Sequence, residues 1–311
     1  MRNLITAVAF IIAVDAKNVS YWQPTAGTPW QIILSGILPT QCPIGVKAID
    51  GDLEDNDAST WSSLKASGCK TICYFSAGSY EDWRQDANQF NNSTDLGAPL
   101  DGWHGEWWLN TKSENVRRIM QERLDTAVKK GCDGVDPDNI DAYENDGGGL
   151  GLTQDDAIDY LTFLAGEAHK RGLAIGLKNG GDIVSSVLNI TDYEVNEQCQ
   201  DFDECDQVRP FIDANKPVFG IEYTKKENTI PDQKTIDQIC DNDSAKGFST
   251  LIKHMKLNDW KISCNVTTAA NSTSSSPSAT QTADSSASIR HMAAGALVSW
   301  SVSLMALLIW L

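Results

Sequence analysis

Between residues 22 and 264 the chain alternates short runs of β-branched and other apolar residues with longer stretches in which apolar positions recur every three or four residues. The short runs, at 30–34, 46–50, 71–77, 134–138, 173–179, 193–199, 217–223 and 249–254, have the length and composition of buried strands. Val116, Ile119, Met120, Leu124, Ala127 and Val128 share one helical face, opened by Ser113 as a cap and closed by Lys129, Lys130 and Gly131. A second helix opens at Thr153, carries Ile158, Leu161, Leu164, Ala165 and Ala168 inward, and stops at Arg171-Gly172. Eight strands with intervening helices predict an α/β protein, a single-domain (β/α)8 TIM barrel, whose usual size is about 250 residues. The alternative is a doubly wound open sheet, but no GxGxxG or P-loop sequence follows an early strand. The glycines at 147–149 and 151 follow an acidic loop without a phosphate-binding Lys and read as a flexible turn.

The two ends differ from this pattern. Arg2, an apolar run over 4–14 and the small residue Ala16 predict a signal peptide over residues 1–16, with the barrel domain over 17–264. Residues 265–288 are rich in Ser and Thr and too poor in apolar groups to form a core, so they predict a stalk. Residues 289–311 hold an apolar stretch from 292 onward. It is long enough to span a bilayer, but small residues at 285–288, a short spacer and a terminal hydrophobic tail match a GPI-attachment signal better. The attachment residue is equally well placed near Asn271. The expectation is a monomer, secreted or at the cell surface, lipid-anchored to a membrane or wall.

Composition narrows the partners. With 42 acidic and 25 basic side chains the net charge is -17, which repels phosphate backbones, excludes nucleic acid as a favoured partner and favours a cationic ligand. Eight cysteines behind a signal peptide read as disulfides, with the local Cys199–Cys205 loop the one pairing singled out. The four His are scattered and no Cys pair has zinc-ribbon spacing, so no metal and no cofactor is expected. Sequons at Asn18, Asn91, Asn92, Asn189, Asn242, Asn265 and Asn271 fit passage through a secretory route.

In a barrel the reactive groups gather at the carboxyl ends of the strands. Those ends deliver Asp50 and Asp52; Tyr74 and Ser76; Asp136, Asp138 and Asn139; Lys178 and Asn179; Asn196 and Glu197; and Glu222 and Tyr223. One acid after a strand is commonly a helix cap, but carboxylates at four of eight strand ends need a cation or a function to hold them together. Paired carboxylates for glycoside hydrolysis and a site of hard oxygen ligands for a metal are the two chemistries that use such a cluster. The segment Trp103-His104-Gly105-Glu106-Trp107-Trp108, expected as a loop over the same face, favours sugar, with Trp107 as a platform for a ring face. Packing of these rings as a plug is the plainer alternative.

The runs "WQPTAGTPWQIILSG", "LDGWHGEWWLN", "GCDGVDPDNIDAYEND", "GLAIGLKN", "YEVNEQCQDFDECD" and "KPVFGIEY" together resemble glycoside hydrolase family 114, the fungal endo-α-1,4-polygalactosaminidases, over about residues 22–255. The resemblance implies a (β/α)8 barrel that cleaves α-1,4-linked galactosamine polymers internally, with Asp138 and Glu197 as its catalytic acids. Ile33 departs from the Gln that relatives often carry, which leaves a first-strand contact in doubt but not the pair. Strands about 4.8 Å apart put the fourth and sixth roughly 9–10 Å from each other. Inward side chains there can meet at the 5–5.5 Å of a retaining enzyme or the 6.5–9.5 Å of an inverting one, roughly speaking, and the sequence does not separate these. By analogy with other barrels that cleave α-galactosides, Asp138 is expected as nucleophile and Glu197 as acid/base. Asn139 or Lys178 would hold Asp138 ionised, and burial near Asn196 and Cys199 would keep a proton on Glu197. Asp50, Asp52, Asp136 and Glu222 are then expected to pair with the ammonium groups of the polymer. A sugar-binding barrel without turnover and a metal-carboxylate enzyme are the other readings.

Overall fold

Eight parallel strands alternate with connections in the order the apolar periodicity predicts. The computed structural model describes residues 19–264 apart from 225, 227 and 228. The expected signal peptide, stalk and attachment signal lie outside the described residues, as do the sequons at Asn18, Asn265 and Asn271. The barrel strands are β1 (Trp30–Ile33), β2 (Ala48–Asp52) and β3 (Lys70–Ser76); then, after an insertion carrying β4 (Ser79–Glu81), β5 (Leu96–Pro99) and β6 (Glu106–Leu109), come β7 (Gly134–Asp138), β8 (Ala174–Lys178), β9 (Tyr193–Glu197), β10 (Val218–Tyr223) and β11 (Leu251–Lys253). Neighbours in the order β1-β2-β3-β7-β8-β9-β10-β11 pair in parallel, and β12 (Ile262–Ser263) adds antiparallel to β11. The chain is a (β/α)8 barrel in one domain.

Among the described residues no ladder joins β1 to β11. Longer-range bonds hold that seam. Trp30 Nε1 donates to the Ser249 carbonyl at 2.7 Å, Ser249 Oγ to the Thr28 carbonyl at 2.8 Å, and the Leu34 N–H to the Leu257 carbonyl at 2.9 Å. Lys253 Nζ adds a bond of 2.7 Å to the Ile32 carbonyl.

Period-two alternation sorts the strand residues into two cores. Trp30, Ile32, Ile72, Tyr193, Val195, Phe219 and Ile221 fill the barrel interior. Val135, Ile175 and Leu177 point outward to meet Ile119, Leu124, Leu161 and Leu164 from the helices. Each large aliphatic or aromatic group so buried contributes about 1.5–3 kcal/mol. The helices α1 (Ala58–Ala66), α2 (Glu114–Lys130) and α3 (Gln154–Lys170) cover the first half. Ser113 caps α2 by accepting from the Val116 N–H, Gly131 ends it at φ 86°, and Thr153 with Asp156 forms a capping box on α3. Among the described residues the second half carries short helices: α4 (Val184–Val187), α5 (Cys205–Asp213) and α6 (Gln233–Cys240). The connection from β1 to β2 is not helical, and the Cys42–Cys69 disulfide ties it to the start of β3. Three further disulfides join Cys73 to Cys132, Cys199 to Cys205 and Cys240 to Cys264. The Cys199–Cys205 loop is the pairing expected from its spacing.

Two expectations are corrected. Residues 103–108 are not all loop: β4, β6 and β5 form a separate three-stranded antiparallel sheet in that order, with Trp107 and Trp108 on its central strand. Strands of three or four residues carry too little periodicity to be seen in sequence. Gly147 and Gly148 are buried beside this sheet rather than loose, since a Cβ on Gly148, at φ 62°, would lie 2.7 Å from the Trp108 Cβ. Leu100, Trp108, Ala142 and Leu152 close this small core.

Candidate active site

Three adjacent strands, β7, β8 and β9, end on Asp138, Lys178 and Glu197. The next residue after each, Asn139, Asn179 and Gln198, takes the left-handed conformation with φ of 62°, 51° and 62°. Each backbone thus turns away at once, leaving the last inward side chain standing at the mouth; Asn tolerates this conformation better than most residues. The turn after Asp138 is fixed by the N–H groups of Ala77 and Gly78, which donate to its carbonyl at 2.8 and 3.0 Å. A Cβ on Gly78 would fall 1.6 Å from the Asn139 carbonyl oxygen, so this approach requires glycine.

Lys178 stands between the two carboxylates. Its Nζ donates to Asp138 Oδ1 at 2.9 Å and to Glu197 Oε2 at 2.7 Å. The bridged oxygens can be no farther apart than those two bonds laid end to end. Tyr74 Oη donates to Asp138 Oδ2 at 2.7 Å, with Asn139 Nδ2 at 3.3 Å from the same oxygen. Tyr223 Oη donates to Glu197 Oε1, and Asn179 Oδ1 accepts the Glu197 N–H at 2.9 Å. Burial alone would push the Asp138 carboxyl up, but the Lys178 ammonium and the Tyr74 hydroxyl outweigh it and hold it below the usual carboxylate value. Lys178 is driven the other way: burial opposes its charge, but Asp138, Glu197 and Asp136 together raise it well above its ordinary value.

The accessory sheet buttresses this arrangement. Glu106 on β6 accepts from Ser79 Oγ at 2.9 Å, Ser79 Oγ lies 2.5 Å from Ser76 Oγ, and Asn139 Nδ2 donates to Ser76 Oγ at 2.9 Å. Burial, with Glu81 and Asp138 nearby, pushes Glu106 up to about 7 against the bond from Ser79.

Of the side chains singled out in sequence, Tyr74, Asp138, Asn139, Lys178, Asn179, Glu197 and Tyr223 come together, and five do not join them. Asp52 is closed off by Arg84, whose NH1 lies 2.8 Å from its Oδ2, and it also accepts the N–H groups of Glu54 and Asp55. Asp50 and Asp136 are fully buried beneath the mouth, out of reach of any polymer. Glu222 faces outward from β10, accepts the Gln200 N–H at 3.1 Å, and lines a cavity of about 460 Å³ with Thr235, Ile239 and Ile252. Burial pushes it up to about 7. Trp107 packs edge-on against Tyr80 at 5.7 Å rather than against the carboxylate group. Local sequence could not distinguish inward from outward acids, nor foresee that Arg84 from the insertion would reach Asp52.

The structure adds acids that the strand ends alone did not reveal. Glu197 opens onto a cavity of about 360 Å³ lined also by Asp141, Glu144, Asp182, Glu204 and Phe202. Burial and the nearby Asp138 push Asp141 up to about 6, and burial with Asp141 and Asp182 nearby pushes Glu144 up to about 7. Asp141, Glu144 and Asp182 stand in "DNIDAYEND" and "GGDI", within the loops after the fourth and fifth strands and beyond the strand ends themselves. Among the described residues no three His, Cys, Asp or Glu side chains are placed to share a metal ion.

The family model for glycoside-hydrolase family GH114 matches residues 12–269. The crystal structure of Aspergillus fumigatus Ega3 in complex with galactosamine is 49% identical, with 79% of this chain and 98% of that one aligned and a TM-score of 0.75. The glycoside hydrolase domain of PelA from Pseudomonas aeruginosa shares the fold at 12% identity and a TM-score of 0.58, over 76% of this chain and 98% of that one. No curated protein sequence matches the chain.

Proposed function

The chain belongs to glycoside-hydrolase family GH114, and from that premise we propose that it cuts α-1,4-linked galactosamine polymers internally, using Asp138 and Glu197 as its catalytic pair. The observation that carries this reading is the single ammonium bonded at 2.9 and 2.7 Å to both carboxylates. Two oxygens so bridged lie closer than the roughly 6.5 Å that an inverting enzyme needs to seat a water, and near the 5–5.5 Å or so of a retaining one. Asp138, held ionised by Lys178 and Tyr74, attacks the anomeric carbon. Glu197 gives its proton to the departing glycosidic oxygen, then takes one from the water that releases the glycosyl-enzyme.

The acidic cavity beside Glu197 supports a substrate with an ammonium on each sugar. Asp141, Glu144, Asp182 and Glu204 take the pairing role first expected of Asp50, Asp52, Asp136 and Glu222. Four disulfides among the described residues, and exposed sequons at Asn92 and Asn189, support a secreted protein, and the composition of residues 265–311 supports a lipid anchor at the cell surface. Asp138→Asn and Glu197→Gln should each lose turnover on deacetylated α-1,4-galactosamine polymer by about a thousandfold or more while still binding it. Product sizing checks this: short oligosaccharides from either variant at the wild-type rate would refute the pair.

A further inference from the structure

Between the accessory sheet and Asp138 runs a short chain of hydrogen bonds whose direction is set at its far end. Ser79 on β4 pairs with Trp108 on β6, which makes Glu106 its diagonal neighbour on the same face, and Ser79 Oγ lies 2.9 Å from Glu106 Oε2. Ser76 at the end of β3 comes next: its Oγ lies 2.5 Å from Ser79 Oγ and accepts the Ser79 N–H at 3.1 Å. Asn139 Nδ2 completes the chain, 2.9 Å from Ser76 Oγ and 3.3 Å from Asp138 Oδ2. Ser76 and Ser79 have no exposed surface and Glu106 has little, so these groups find their partners in one another.

A hydroxyl has one hydrogen to give. Glu106, whether ionised or protonated on Oε1, offers Oε2 as an acceptor, and Ser79 spends its hydrogen there. Ser76 then gives its own hydrogen to Ser79. Having already accepted the Ser79 N–H, it can meet Asn139 only as an acceptor. Asn139 therefore turns its NH2 into the chain, and the same NH2 faces Asp138. Reversed, the amide would set its carbonyl oxygen against a carboxylate oxygen.

We propose that Glu106 is a positioning residue for the hydrolysis: as the terminal acceptor of the Ser79–Ser76 chain, it fixes the Asn139 amide with its N–H groups toward the nucleophile Asp138. The inference rests on the reading of Asp138 and Glu197 given above. Asp138 Oδ2 then receives Tyr74 and Asn139 while Oδ1 receives Lys178, which orients the carboxylate. The groups around Asp138 are Tyr74 from β3, Glu106 from β6, Asp136 from its own strand, Asp141 from the loop beyond it, Lys178 from β8, Glu197 across that lysine from β9, and Tyr223 from β10. Once the Asn139 amide is free to turn, the Asp138 anion loses a donor and takes up a proton more readily.

The test is kcat, KM and the pH profile of kcat/KM on deacetylated galactosamine polymer, for the whole protein and its variants. Glu106→Met removes the acceptor and Ser79→Ala removes the link. Each should lower kcat by about tenfold with KM little changed, and move the acid limb toward alkali by about half a pH unit. Glu106→Gln still presents a carbonyl oxygen to Ser79 and should keep rate and limb near those of the wild type. The double variant, Glu106→Met with Ser79→Ala, should lose no more than either single one, since it cuts one chain twice. Equal losses in Glu106→Met and Glu106→Gln would mean that charge and not the acceptor matters, and would overturn the proposal. Lower unfolding midpoints with kcat and the limb unmoved would mark a structural residue and overturn it too, as would additive losses in the double variant. Should Glu106→Met fail to fold, the limb of Ser79→Ala decides. Wild-type turnover in Asp138→Asn would instead remove the underlying reading of the pair.

Discussion

Near the carboxyl ends of the strands, two pairs of acids each share one cation, and they serve opposite ends. At the rim, Arg84 joins Asp52 to Glu81: its Nε and NH2 bond both Glu81 oxygens at 2.6 and 2.8 Å, and its NH1 lies 2.8 Å from Asp52. At the mouth, Lys178 joins Asp138 to Glu197. The guanidinium spends its fork on the acids and seals them, with side-chain exposures of 8% for Arg84, 7% for Asp52 and 5% for Glu81. The ammonium is a point charge that takes one oxygen from each partner, and Asp138 and Glu197 keep 16% and 23% of their side-chain surface open. A planar fork locks carboxylates; a compact ammonium holds them close while leaving room for a substrate.

The contrast breaks most sharply at the two cations. Lys178→Met should lower kcat/KM by about 10²–10³-fold, since it removes a donor to both carboxylates and the charge that keeps Asp138 ionised. Initial rates on folded, size-checked protein decide it, and a loss below tenfold would mean that the bridge is incidental. Arg84→Met should behave the other way. It strands two carboxyls already hidden from water, costing about 3–5 kcal/mol of stability, while the protein that remains folded keeps most of its turnover. Denaturant midpoints and specific activity, measured on the same preparations, separate the two effects. The smallest effect sharpens the comparison without mutation. As the Debye length shrinks from about 10 Å at 0.1 M salt to about 3 Å at 1 M, KM for the polycation should rise, because Asp141, Glu144, Asp182 and Glu204 act partly through open space. The Arg84 cluster is sealed, so the unfolding midpoint should move little over the same range. A KM indifferent to salt would refute electrostatic capture of the polymer.

The strands carrying Asp138, Lys178 and Glu197 were legible because parallel barrel strands are buried on both faces and read as unbroken apolar runs bounded by polar turns. The caps at Ser113 and Thr153 were legible because their bonding partners lie three residues away. The accessory sheet was not, since its strands pair across 25 or more intervening residues in part, as Ser79 with Trp108. The sorting of acids also failed: Asp50, Asp52, Asp136 and Glu222 look like Asp138 and Glu197 in sequence, each close to the end of a strand.

What the chain determined by itself was therefore local and periodic: the alternation of strands and helices, the ends at which acids cluster, an excess of negative charge, and an even set of cysteines with one local pair, Cys199 and Cys205. Only the closed barrel decided which acids meet a cation, which are buried beneath it, and which open on a cavity. Hydrophobic period and capping act over a few residues and are written in order, whereas the charge state of a carboxyl depends on burial and on neighbours that arrive from distant parts of the chain.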